Sequence, residues 1–140
     1  MTLNGQIIGQ AERATRTLLD LHLRDTGLAF EQWVAVNQVH AGAGGRQALI
    51  ARLARGLKID EEAARAAVDG VIGVGLVAVD DEELTLTAEG LQKFSVVSSE
   101  IAAITDRLYG DVAPEDLAVA GRVLTLVTER ANAELAAAAS

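Results

Sequence analysis

Residues 46–86 read RQALIARLARGLKIDEEAARAAVDGVIGVGLVAVDDEELTL. The first part, 46–56, carries Leu49, Ile50 and Leu53 with Arg46, Arg52 and Arg55, and reads as a helix with an apolar and a basic face that ends at Gly56. Lys58 and Ile59 then lead to Asp60, a good N-cap, and Glu61 and Glu62 put acids in a helical first turn, where the dipole favours them. This second helix runs to about Gly73, and Gly75 punctuates it. Leu76 to Val79 and Leu84 to Leu86 are short β-like runs around the acidic turn at 80–83, which together make a small hairpin. A helix, a short turn, a helix and an immediate hairpin is the winged helix-turn-helix pattern, in which the second helix enters the major groove and the wing touches the DNA backbone.

The flanks are helical. Ile7, Ala11, Ala14, Leu18 and Leu21 form one stripe over residues 4–24, with Asn4 as N-cap, and a break follows at 25–27. Phe30, Trp33, Val34, Val36 and Val39 mark a shorter helix over 30–41, closed by the glycine-rich loop 42–45. After the hairpin, Leu91, Phe94, Val97, Ile101, Ile104 and Leu108 predict a helix over 88–109. Pro114 suits the first position of a last helix over 114–138, striped by Leu117, Ala120, Leu124, Val127 and Ala131. The expected fold is mainly α, a winged helix-turn-helix with long N- and C-terminal helices and a two-stranded wing. The sustained seams of those long helices favour association of two chains over packing within one.

Composition supports this reading. One domain of 140 residues, half of them apolar but only 3% aromatic, requires an aliphatic core, and 26 alanines favour helix. Without cysteine there is no disulfide framework and no thiolate metal site. No run approaches the ~18 apolar residues of a membrane span, and no basic start precedes an apolar run, so a cytoplasmic protein is expected. Ten arginines against two lysines, with abundant alanine, glycine and valine, point to a GC-rich bacterial genome. The P-loop lysine, the G-x-S-x-G elbow, H-E-x-x-H and a glycine-rich dinucleotide turn are all missing, which argues against an enzyme. His22 and His40 lie too far apart to start a zinc site, and no cofactor is expected.

Several fragments, in order and spacing, resemble the multiple-antibiotic-resistance regulator (MarR) family over nearly the whole chain. Phe30-Glu31-Gln32-Trp33 is similar to the start of that family's second helix, and Leu49-Ile50-Ala51-Arg52-Leu53-Ala54 to its third. Residues 68–77, VDGVIGVGLV, resemble the end of its recognition helix and the following strand. Leu84-Thr85-Leu86-Thr87-Ala88-Glu89-Gly90 resembles the strand leading into its fifth helix, and Pro114-Glu115-Asp116-Leu117 the start of its sixth. The resemblance implies a homodimeric transcription regulator, with 1–28 and 88–140 as the helical dimerisation region and 29–87 as the winged helix-turn-helix lobe of a single domain, 1–140. It further implies a small aromatic or phenolic effector.

On this reading Arg46, Arg52, Arg55 and Lys58 contact phosphates of double-stranded DNA, and Arg65 reads a base edge. His22, Trp33 and His40 are candidates for an effector pocket between the dimer helices and the DNA-binding lobe. Two departures from the family pattern are electrostatic. The recognition helix begins with Asp60, Glu61 and Glu62 where the family has hydroxyl residues, and the wing tip is Asp80, Asp81, Glu82 and Glu83 where the family is basic. Most of the formal net charge of −8 therefore falls on the segment expected to face DNA, while 46–58 carries four cations and no acid. Like charges ~4 Å apart repel by ~1 kcal/mol in bulk water and by more near a protein surface. An acidic wing thus opposes the usual docking pose. The alternative expectation is a winged-helix protein-interaction module that does not bind DNA in the usual way.

Overall fold

In the computed structural model, which describes residues 1–139, the chain folds as α1 (Gly5–Leu23), a 3-10 turn (Arg24–Thr26), α2 (Phe30–His40), α3 (Arg46–Leu57), α4 (Glu61–Gly73), β1 (Val77–Asp80), β2 (Glu83–Leu86), α5 (Ala88–Tyr109) and α6 (Pro114–Ala139). The winged helix-turn-helix expectation is met element by element. Two compact units, residues 1–102 and 103–140, divide within α5.

In the first unit the helix starts are those the sequence signals. The Asn4 carboxamide oxygen accepts from Ile7 N at 2.9 Å, and the Asp60 carboxylate accepts from Ala63 N at 2.7 Å. Gln32 reaches back to the Ala29 amide at 2.9 Å, closing the first turn of α2. These bonds satisfy amides that have no partner within the helix, each worth about 1 kcal/mol. The core is aliphatic. Leu49, Ile50 and Leu53 of α3 and Ala64, Val68 and Val71 of α4 are almost wholly buried against Ala35 and Val36 of α2. Each buried Leu, Ile or Val contributes about 1.5–3 kcal/mol. The small residues at 64 and 67 bring α4 close to its neighbours. α1 is tied to α2 by the Arg16 guanidinium, 3.7 Å from the Phe30 ring centroid.

β1 and β2 pair antiparallel, Val77 with Leu86 through Asp80 with Glu83. The turn therefore has only two residues, Asp81 and Glu82, and both have positive φ, 52° and 74°. That is the backbone of a type I′ hairpin, which follows strand twist and favours Asn or Asp followed by Gly. The 42–45 loop does more than connect: Gly45 bridges Glu83, and Leu84 N donates to Gly44 O at 3.0 Å, so the loop braces the wing.

α5 starts in close contact with the end of this hairpin region. The Thr87 hydroxyl donates to Gly75 O at 2.6 Å and accepts from Gly90 N at 3.0 Å, while Thr87 N donates to Leu76 O at 3.0 Å. Gly90 lies so close to Leu76 that a Cβ would stand 1.9 Å from the Leu76 carbonyl oxygen. This approach corrects the expected α5 stripe. The expected line holds at Phe94, Val97, Ile101 and Ile104, but Leu91 and Leu108 are 53% and 42% exposed, and Gly90 stands in the inward place at the first turn because only glycine fits where the helix meets Leu76. Likewise Leu23, not Leu21, is the deeply buried leucine at the end of α1.

In the second unit, α6 begins at Pro114 as expected, and Leu117 N donates to Ala113 O at 3.1 Å. All its described residues are exposed, including Leu117, Leu124 and Val127.

Two substitutions check these points. Gly90→Ala is expected to destabilise the protein by about 2–3 kcal/mol despite the better helix propensity of alanine, because the added carbon forces backbone apart. Thermal unfolding will then show a clear fall in Tm, and a rise would refute the close approach. Glu82→Gly is expected to stabilise by about 0.5–1 kcal/mol, since glycine adopts positive φ without strain; chemical denaturation measures it.

Candidate functional site

α4 turns Ala64, Ala67, Val68 and Val71 inward and leaves Glu61, Glu62, Ala63, Ala66 and Asp69 exposed. The outward face of the candidate recognition helix is thus small and acidic. Its one cation, Arg65, donates to Glu61 Oε1 at 2.8 Å, one helical turn away. Arg46, the first residue of α3, is paired across to Asp69 of α4. Both pairs are solvated, with side chains 32% to 66% exposed, so each is worth roughly 0–1 kcal/mol. Either arginine can exchange its carboxylate for a phosphate at small cost.

The other cations stand differently. Arg52 Nη1 donates to the Gln38 amide oxygen at 3.2 Å, and Arg55 is exposed. Neither forms a salt bridge among the described residues. Lys58 caps α3 with φ of 57°, and its ammonium donates to Arg55 O at 2.9 Å. It therefore places positive charge where the helix dipole is negative. The structure accordingly sorts the five predicted cations into two that meet acids of α4, two that project from α3 without an acid, and one at the α3–α4 turn. All four acids at 80–83 are exposed at the wing tip.

The three predicted pocket residues are not brought together. Trp33 and His40 lie seven residues apart, on one face of α2, and flank Phe94 of α5. Their ring centroids are 5.7 and 3.9 Å from that of Phe94, and both pairs are stacked. His22 instead lines a separate cavity of about 760 Å³, between the end of α1 and α5. Seven residues are two helical turns, so Trp33 and His40 share a face, but nothing local relates them to His22 on another helix.

That cavity has the size of a small-molecule site, which usually spans ~300–1,000 Å³. Leu28, Leu76 and Val97 are its buried apolar wall, and Val74, the C-cap of α4, stands at its edge. Asp25, Glu89, Lys93 and Glu100 supply charge, and Lys93 Nζ donates to Thr26 O at 2.7 Å. Sequence reasoning missed these four. The available signal was the spacing of Glu89, Gln92, Lys93, Val96 and Glu100 along one face of α5, but a polar face opposite an apolar stripe reads as solvated. Among the described residues no cluster of His, Asp or Glu is placed to hold a metal ion. No described helix is long and apolar enough to cross a membrane.

No family profile and no curated protein matches the chain by sequence. Solved structures do match by fold. A MarR-family transcriptional regulator from Silicibacter pomeroyi aligns with a TM-score of 0.79 at 19% identity, over 91% of this chain and 88% of that one. A MarR-family protein of Mycobacterium tuberculosis in complex with p-aminosalicylic acid aligns at 0.72 and 18% identity, over 91% and 99%. The same protein in complex with DNA aligns at 0.70 and 19% identity, over 91% and 98%. At such identities the likeness speaks for the fold, and it agrees with the resemblance carried by the sequence fragments. The chain has the winged helix-turn-helix fold of the MarR-family transcription regulators.

Proposed function

We propose that this protein is a homodimeric, DNA-binding transcription regulator that responds to a small effector. The observation that carries the reading is the winged helix-turn-helix itself, whose α3 projects Arg52 and Arg55 with no salt bridge among the described residues. α4 enters the major groove; Arg52, Arg55 and Lys58 hold phosphates; Arg46 leaves its weak pair with Asp69 to join them, and Arg65 leaves Glu61. Arg65 then reaches a base edge, where a bidentate contact to guanine discriminates by ~1–3 kcal/mol. The similar structure solved in complex with DNA supports DNA binding by this fold. The acidic wing tip stays clear of the backbone.

Dimerisation is supported by the aliphatic side chains left exposed on α6, among them Leu117, Leu124 and Val127, and by Leu108 near the end of α5. A face of this kind on a helix of 26 residues is ordinarily covered by a second chain. The effector part of the reading attaches to the cavity at His22, which is large enough to enclose a small molecule. The similar structure solved in complex with p-aminosalicylic acid supports small-molecule binding by this fold.

Gel-shift titrations against DNA from upstream of the protein's own gene, at two salt concentrations, test the DNA contact. Arg52→Ala/Arg55→Ala is expected to weaken binding at least tenfold and to lower the salt slope by roughly 3–4 in a dimer, at about 0.9 per phosphate released. Absence of any shift at low salt would overturn the reading. Light scattering at micromolar concentration is expected to give about twice the 14.6 kDa chain mass, and Leu124→Asp/Val127→Asp to reduce it to one chain.

A further inference from the structure

Asparagine occurs at three positions, Asn4, Asn37 and Asn132, and the fold holds the first differently from the other two. Asn37 and Asn132 stand inside α2 and α6 and are followed by Gln38 and Ala133, whose amides belong to a helical ladder. Asn37 Nδ2 also donates to Trp33 O at 3.2 Å. Asn4 is followed by glycine and lies outside the helix that it caps, with φ of −153° and ψ of 174°. Residues 4–6 are exposed. Gly5 N is among the first amides of α1, which find no carbonyl partner within the helix. A Cβ built on Gly5 would meet nothing within 4 Å, so nothing crowds this amide. The Asn4 carboxamide oxygen accepts from Ile7 N at 2.9 Å, which draws electron density from its carbon. That bond opens at little cost, because helix ends fray.

We infer that Asn4 is a site of spontaneous covalent modification, deamidating through a cyclic imide with Gly5. The Gly5 nitrogen gives up its proton to solvent and attacks Asn4 Cγ. A Cγ–N bond forms, the Cγ–Nδ2 bond breaks, and Nδ2 leaves as ammonia after taking a proton from solvent. Water then opens the imide at either carbonyl. Opening at Cγ restores the main chain and leaves an aspartate; opening at the main-chain carbonyl leaves an isoaspartate, with the chain routed through Cγ. The balance is one water consumed and one ammonia released, with no oxidant or reductant. The products act oppositely on α1. Aspartate keeps an acceptor for Ile7 N and adds negative charge at the start of a helix whose first turn carries no acid. Isoaspartate lengthens the main chain by one carbon and removes the carboxylate from the capping position. The inference is independent of the DNA-binding reading and is measured without DNA.

The test is prolonged incubation of the full chain at mildly alkaline pH, followed by peptide mapping with fragmentation to place each exchange of amide for acid. Asn4 is expected to convert at least tenfold faster than Asn37 and Asn132, with isoaspartate and aspartate both among the products. Gly5→Ala, which the open space around Gly5 admits without repacking, is expected to slow the conversion at least tenfold while helix content by circular dichroism is kept. Asn4→Asp is expected to hold or raise Tm, and the isoaspartate form, separated by ion exchange, to melt below it. Conversion of Asn4 no faster than that of Asn37 and Asn132 overturns the inference. So does an equal rate in Gly5→Ala, or aspartate as the sole product, which would mean direct hydrolysis without the imide. A fall in Tm on Asn4→Asp overturns the effect assigned to the aspartate form.

Discussion

The crossing of α5 over the start of the wing is the constraint on which the rest of the first unit depends. Gly90 lies against the Leu76 carbonyl at a distance no side chain allows, and Thr87 clamps the same point through Gly75 O and Leu76 O. Four bonded residues thus join the end of α4, the root of the hairpin and the first turn of α5. Because the joint is backbone against backbone, it gives little when side chains repack. The direction of α4 relative to α5 is therefore set at one place. The α5 line that enters the core, Phe94, Val97 and Ile101, follows from it, and so does the exposure of Leu91.

Electrostatics is the second organising feature. The acids of α4 and the wing are not dispersed over the surface. Glu61 and Asp69 each hold an arginine, while the four acids of the wing tip stand in solvent on a turn with two positive φ angles. On the proposed function, phosphate binding by Arg46 is an exchange of its carboxylate partner for a phosphate rather than capture by a bare cation. Arg52 and Arg55 need no such exchange. They are the residues whose contribution should depend most on salt.

Most of the architecture was legible in the sequence. Helix boundaries follow from capping residues with short-range bonds, such as Asn4, Asp60 and Thr87, from Pro114 at a first helical position, and from stripes with helical spacing. The hairpin followed from two β-like runs around a polar turn. Local chemistry decides these features, so they can be read locally. The candidate site was legible only in part. The α3 cations and the acidic α4 were visible as charge runs, but the Arg46–Asp69 pair joins residues of two helices and leaves no trace in sequence spacing. The placing of the pocket residues was hidden for the same reason: Trp33 and His40 meet at Phe94, and His22 lines a cavity with Glu89, Lys93 and Glu100 of α5.

By itself, then, the sequence determined the order and type of the elements, the aliphatic character of the core, and the concentration of negative charge on α4 and the wing. These depend on composition, periodicity and capping, all of which act within a few residues. Only the tertiary structure decided that Gly90 rather than Leu91 meets the hairpin root, that the 42–45 loop braces the wing, that Arg46 is neutralised by Asp69, and that a cavity opens beside His22. Each of these depends on contact between segments tens of residues apart. Such contacts are set by how distant segments pack together, not by any local preference of the chain.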